Sequence, residues 1–232
     1  MSFVRPAFWP TIISLPAFLL LLGLGVWQVQ RLHWKEGLIA ARQAAIAEPP
    51  IAVPRDLAAA RGMEFRHVAA SGTFLNDREF FLGATDEAGD TGYHVVTPLR
   101  LTDGALLLVD RGWIPDDRKD RARRAAAEPE GPIRVEGLLR LPAGRPNWFV
   151  PDNDCARNYW FWIDVPAMAR CAGLAGILPV YMDAGPAPNP GGFPRGGQSH
   201  TELPNDHLQY AITWFALAGA LAVIYVLYHR RR

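Results

Sequence analysis

Asn205-Asp206-His207-Leu208-Gln209-Tyr210-Ala211-Ile212-Thr213-Trp214-Phe215 places one imidazole at the mouth of a long apolar run. If the run is helical, His207, Tyr210 and Trp214 share one face, while Gln209 and Thr213 turn to another. A neutral imidazole is a good axial ligand for haem iron, and aromatic rings beside it can stack on a porphyrin edge. The plainer reading is an interfacial histidine that caps the helix or hydrogen-bonds the domain above it. Spacing alone does not demand haem.

A second group of candidates follows an earlier apolar run, at a matching depth: Arg31, Trp34 and Lys35. Cations there pair with carboxylates such as haem propionates, pair with lipid phosphates, or simply anchor the helix at the interface. Helical spacing puts Trp27, Arg31 and Trp34 on one face. His33 is a second ligand candidate. Asp110-Arg111-Gly112-Trp113-Ile114-Pro115 ends an apolar strand. Its charged pair marks either a site or, as the favoured reading, a salt bridge between Asp110 and Arg111 that fixes a Gly-Trp turn. His67, His94 and His200 have no neighbouring ligand pair, and Asp152 and Asp154 lack the remaining ligands of a calcium loop. With no Gly-x-Ser-x-Gly, His-Glu-x-x-His or Walker loop, the chain is not expected to be an enzyme.

These residues need elements to position them. Phe8 to Val29 carries no charged side chain, and about 22 residues at ~1.5 Å each span a bilayer core. Residues 8–29 are therefore expected to form a first transmembrane helix, with Trp9 and Trp27 at its two interfaces. The run is long for a cleaved signal peptide, and no small-x-small site follows it before Arg31. The helical pattern continues through Ala47 and stops before Pro49-Pro50. Residues 211–228 are the second expected span, closed by His229-Arg230-Arg231-Arg232. Terminal arginines favour the cytoplasmic side, which puts both termini inside and residues 31–206 outside. No Arg- and Ser-rich leader precedes the first span, so a mitochondrial precursor is not expected; the expected setting is a bacterial inner (plasma) membrane, with the central domain periplasmic.

The domain of residues 31–206 reads as short strands. Glu64–Phe74, Glu79–Thr85, Gly92–Leu99, Ala105–Trp113, Ile133–Leu141 and Val180–Asp183 carry β-branched or aromatic patterns, and Asp103-Gly104 signals a tight turn. Leu106-Leu107-Leu108-Val109 is apolar throughout and should be buried on both faces. Asp116–Ala127 is expected to be a polar helix, and Val165–Ala172 a short one with Asp164 as its N-cap. Gly185–Gly197, dense in Pro and Gly, is a loop. The expected architecture is α+β: two transmembrane helices flanking a mainly antiparallel, β-barrel-like extracytoplasmic domain with one or two short helices.

Charge and cysteines narrow the function. All 23 Asp and Glu lie between Glu36 and Asp206, whereas of 24 Lys and Arg only Arg5, Arg230, Arg231 and Arg232 lie outside residues 31–206. The middle is mildly acidic with no basic cluster, so nucleic acid is excluded as a partner. The two cysteines, Cys155 and Cys171, are not in a Cys-x-x-Cys motif. They are expected to sit apart, with a disulfide in an oxidising compartment as the alternative.

Several blocks together resemble the Surfeit locus protein family of cytochrome c oxidase assembly factors, nearly end to end. They are Leu24-Gly25-Val26-Trp27-Gln28 with Arg31, Trp34 and Lys35; Gly72-Thr73-Phe74; Thr97-Pro98; Val109-Asp110-Arg111-Gly112-Trp113-Ile114-Pro115; and Asn205-Asp206-His207-Leu208-Gln209-Tyr210 with Trp214. The resemblance implies two membrane helices, a domain between them on the periplasmic or intermembrane side, and a role in building the haem a-containing oxidase core. It implies the oxidase catalytic subunit, and a haem a synthase, as partners besides membrane lipid. It implies haem a as cofactor with His207 as iron ligand; with that ligand in place, Trp27, Tyr210 and Trp214 are expected to pack the haem faces, and Arg31 and Lys35 to receive its propionates. The family usually has Asn before Arg-Gly-Trp, where this chain has Asp110. A cofactor-free membrane adaptor that holds an oxidase subunit is the alternative, and a membrane-tethered enzyme a third class.

Overall fold

The computed structural model describes residues 8–86, 88–129, 131–199 and 201–230, so Arg5, His200, Arg231 and Arg232 lie outside the described residues. Two compact units result: Gln43–Thr201 folds as a β unit, and the described residues up to Arg42 group with those from Glu202 onward.

Helix α1 runs unbroken over Phe8–Ala47, accommodating Pro10 in its first turn and Pro16 inside it. A last helix, α4, covers His207–Arg230. Both are long and apolar enough to cross a membrane. They run antiparallel within their unit: Thr11 Oγ1 lies 2.6 Å from the Tyr225 hydroxyl, a Cβ on Gly25 would strike the Phe215 ring, and Gln28 meets His207. Buried and half-buried positions of α1 include 11, 14, 18, 21, 25, 28, 32 and 35. That alternation of three and four is the heptad seam of helices packed side by side. Small residues at its centre, Gly25 facing α4 and the buried Ala211 and Ala218 of α4 itself, let backbones approach closely.

In the β unit, β1 (Ile51–Ala52), α2 (Leu57–Ala60), β2 (His67–Phe74), β3 (Phe80–Thr85), β4 (Thr91–Leu101), β5 (Leu106–Pro115), β6 (Ile133–Arg140), β7 (Tyr159–Trp160), α3 (Val165–Ala172) and β8 (Ile177–Ala184) follow in order. Strand pairing runs β2-β6-β8-β5-β4 and returns from β4 to β2, closing a five-stranded ring. Only β5 and β8 are parallel within it. This connectivity makes a Greek-key barrel of the OB type. β3 and β7 extend the sheet from β4.

Alternation along β5 explains its continuous apolar run. Leu107 and Val109 point into the barrel with Val68, Leu99, Leu139, Val180 and Met182. Leu108 points outward into a second cluster with Val96, Trp160 and Met168 of α3. Asp164 caps α3 by accepting a hydrogen bond from the Ala167 amide, as its sequence implied.

Two expectations are corrected. Asp116–Ala127 is not an α-helix but two 3₁₀ segments, Asp116–Arg118 and Arg121–Ala127. Arginine side chains take the carbonyls that an α-helix would use: Arg124 donates to Arg118 O, Arg123 to Asp117 O and Arg118 to Arg123 O. Cys155 and Cys171, expected to sit apart, are disulfide-bonded. The bond ties the loop before β7 to α3. The elements β1, α2 and β7 are too short to leave a periodic signal.

Leu107 is fully buried. Truncating it to Ala should cost about 2–5 kcal/mol, against about 0.5 kcal/mol or less for the half-exposed Leu57, measured by denaturant unfolding of the protein. Opening the disulfide, which closes a loop of 16 residues, should cost about 3 kcal/mol in the same assay.

Candidate functional site

The first turn of α4 sets His207 against α1. His207 Nδ1 lies 2.7 Å from Gln28 Oε1, and Gln28 is one of two buried residues in α1. A carboxamide oxygen only accepts, so Nδ1 carries the hydrogen and donates it. The lone pair of the neutral ring is then on Nε2, and the ring plane is held by the contact. This is how proteins orient a histidine that ligates a metal through its other nitrogen. Two residues earlier, Asn205 Oδ1 is buried without a hydrogen-bond partner among the described residues.

The other expected site residues are distributed around this pair. Trp214, two turns along α4, is half-buried on the His207 face. Tyr210 is 56% exposed and Trp27 50% exposed, so both stand on the outer shoulders of the seam. Lys35 lies on the Gln28 face of α1, two turns beyond it, about 10 Å along the axis. Arg31 is exposed, its guanidinium 4.0 Å over the ring of Trp34. His33 faces Glu36 at 3.2 Å. A cleft of about 230 Å³ between the helices opens at the end distant from His207, bounded by Thr11, Phe18, Leu221 and Tyr225. Gln28 is a functional candidate that sequence reasoning misses; the signal that marks it is an uncharged polar side chain seven residues before Lys35 on the heptad seam.

The Asp110–Arg111 pair does not form as expected. Consecutive strand residues point to opposite faces. Asp110 accepts from the Gly112 amide at 2.9 Å and meets His94 Nδ1 at 2.7 Å. Arg111 turns the other way, over the Phe74 ring and toward Asn76. Burial pulls the Arg111 pKa down to about 10. A bulge between β4 and β5 lets His94 reach Asp110. Gly112 stands at φ +112°, and a Cβ there would collide with the Arg195 carbonyl. The Gly-Trp turn is thus fixed by the returning Gly185–Gly197 loop, whose Arg195 exchanges both backbone hydrogen bonds with Trp113.

Comparison with known proteins decides the kinship of these motifs. The SURF1 family model matches residues 15–219, which include most of α1, the whole barrel and the first half of α4. The chain belongs to the SURF1 family. It is 38% identical over 221 residues to a SURF1-like protein of Monosiga brevicollis, covering 90% of this chain and 83% of that one. It is 34% identical over 219 residues to Surfeit locus protein 1 of Homo sapiens, covering 88% and 72%. Against a SURF1-like protein of Caenorhabditis briggsae it is 31% identical over 92% of this chain. The SURF1 match therefore takes in Gln28, His207 and the Asp110-Arg111-Gly112-Trp113 turn together.

Burial lowers the His94 pKa, but the Asp110 carboxylate and its hydrogen bond, with help from Asp183, outweigh it and leave the imidazole raised above 6.5. A raised folded-state pKa stabilises below the unfolded value and loses that contribution as pH climbs through the folded one. The melting temperature should therefore fall as pH rises from about 6.5. His94→Gln should flatten that slope, with the difference between the two pH profiles isolating His94.

Proposed function

We propose that this SURF1-family protein is a membrane-anchored assembly factor for cytochrome c oxidase that holds haem a through His207 and passes it to the oxidase catalytic subunit. The observation that carries this reading is the His207–Gln28 hydrogen bond, 2.7 Å long and joining the two apolar helices. It presets the tautomer and leaves Nε2 as the ligand nitrogen. When bound, the haem supplies an iron centre with an open position for an imidazole. Trp214 packs beside the ring, Trp27 and Tyr210 flank it from the outer shoulders, and Lys35 and Arg31 receive the propionates. Lys35 needs only a change of rotamer, whereas Arg31 must leave the Trp34 face. Ligation by one side chain holds the cofactor firmly enough to carry and loosely enough to release.

The setting we propose is an inner membrane with both termini cytoplasmic and the barrel in the periplasm, within reach of a haem a synthase and the oxidase subunit. The Cys155–Cys171 disulfide supports an oxidising compartment for the barrel. A second reading, a cofactor-free adaptor that grips an oxidase subunit, is favoured by Trp148 and Phe149. These rings stack on each other at 3.5 Å while about three-quarters exposed, and exposed aromatic pairs of this kind suit protein capture.

Protein co-expressed with haem a synthesis and purified in detergent should carry haem with a histidine-ligated spectrum. His207→Ala should abolish it, and Gln28→Leu should weaken haem affinity by about 10–100-fold. Equal haem content in His207→Ala and the parent would remove the ligand assignment. Colourless parent protein that still captures the oxidase subunit would select the adaptor.

A further inference from the structure

The barrel unit contains a cavity that the haem reading does not use. It measures about 480 Å³ and lies over neighbouring strands on the barrel wall, a size suited to a small ligand or one side chain. Its floor is charged: His94 of β4, Asp110 of β5, Asp183 of β8 and Arg140 of β6 all line it. Asp110 and Asp183 stand side by side in the register of the parallel β5–β8 pair. Trp162 and Tyr181 supply aromatic wall, and Ser199 of the returning loop closes one side.

Hydrogen-bond accounting shows what this floor lacks. Asp110 spends both oxygens, one on the Gly112 amide and one on His94 Nδ1. Asp183 Oδ2 takes Arg140 Nη1 at 2.6 Å and the Ser199 hydroxyl at 2.9 Å. Asp183 Oδ1 and His94 Nε2 have no hydrogen-bond partner among the described residues. With Nδ1–H donated to Asp110, Nε2 of the neutral ring is an acceptor. The residues that carry these two unused acceptors line one half-apolar cavity, as does Arg140, whose buried Nε has no hydrogen-bond partner among the described residues and lies 3.5 Å from Glu64 Oε1.

The charges around them agree. Asp110, Asp183 and, beside Arg140, Glu64 are carboxylates, while Arg140 is the permanent cation among these residues. Arg145, which lies over the Trp162 ring, is already paired with Asp152. Burial and then Asp110 push the Asp183 carboxyl up, and burial and then Asp183 push the Tyr181 hydroxyl up. Burial is the larger cause at each, and the neighbouring carboxylate adds to it.

We propose that this cavity binds an alkylammonium or alkylguanidinium group, which donates hydrogen bonds to Asp183 Oδ1 and His94 Nε2 while its alkyl stem lies against Trp162 and Tyr181. The group is either a free small cation or a Lys or Arg side chain. The site lies wholly within the barrel unit and stands independently of His207. Binding displaces the proton from His94 Nε2, so it is coupled to pH. Affinity rises by up to about tenfold per pH unit below the His94 pKa and levels above it.

The test uses the full chain in detergent, titrated calorimetrically with butylguanidinium, butylammonium, butyrate as the anionic control, and a blocked pentapeptide with one central arginine. Both cations should bind saturably and butyrate should not. Asp183→Asn should weaken cation binding by about tenfold or more, and His94→Gln should remove the pH dependence. If Asp183→Asn does not fold, Ala143→Trp fills the cavity from its exposed loop and should abolish binding. Tighter binding of the peptide than of butylguanidinium identifies a side-chain ligand, and the reverse a free cation. Preference for butyrate, absence of saturable cation binding, or undiminished binding in Ala143→Trp would overturn the proposal.

Discussion

One hydrogen bond between two apolar helices underlies the functional reading: His207 Nδ1–H to Gln28 Oε1. In a helix pair of this composition, packing is driven by close contact of small residues, because lipid offers no hydrophobic contrast. Gly25 against Phe215, with Ala211 and Ala218 buried in α4, supplies that contact. The polar bond then sets the register, since slipping either helix by one turn would leave both partners unsatisfied. The same bond fixes the orientation of the imidazole at the helix mouth. Stability of the pair and readiness of the imidazole are therefore one constraint.

The barrel obeys a different constraint, closure. Once β4 returns to β2, every barrel strand has two neighbours and β5 sits between β4 and β8 with both faces covered. Its side chains must alternate between two apolar clusters, so a polar residue survives there only with a dedicated partner. Asp110 has His94 and the Gly112 amide; Arg111, on the other face, has the Phe74 ring and Asn76. The Asp110 carboxylate is thus met by a histidine from the neighbouring strand, not by the adjacent arginine. Buried Arg124 and Glu79 show the same economy, paired at 2.6 Å.

Much of this was legible in the residues. The two apolar runs, the doubly buried strand, the Asp164 cap and the barrel-like class follow from periodicity and composition, which are local properties. The polar run Asp116–Ala127 misled because propensity counts backbone bonds and ignores arginine side chains that compete for the same carbonyls. The disulfide was illegible, because a separation of 16 residues is compatible with contact or its absence. His207 stood out as an imidazole that opens an apolar run with aromatic residues on its face; Gln28 did not, because a glutamine in an apolar run has no meaning until its partner helix is placed.

Sequence by itself determined the membrane-anchored plan, the strand-rich middle and the family, since each rests on patterns within one segment or on several motifs in order. Tertiary structure decided which polar groups meet. His94 with Asp110, Arg140 with Asp183, and Gln28 with His207 are separated by 16, 43 and 179 positions. Contacts at such separations depend on strand order, bulges and helix register, and these emerge only when the chain closes on itself.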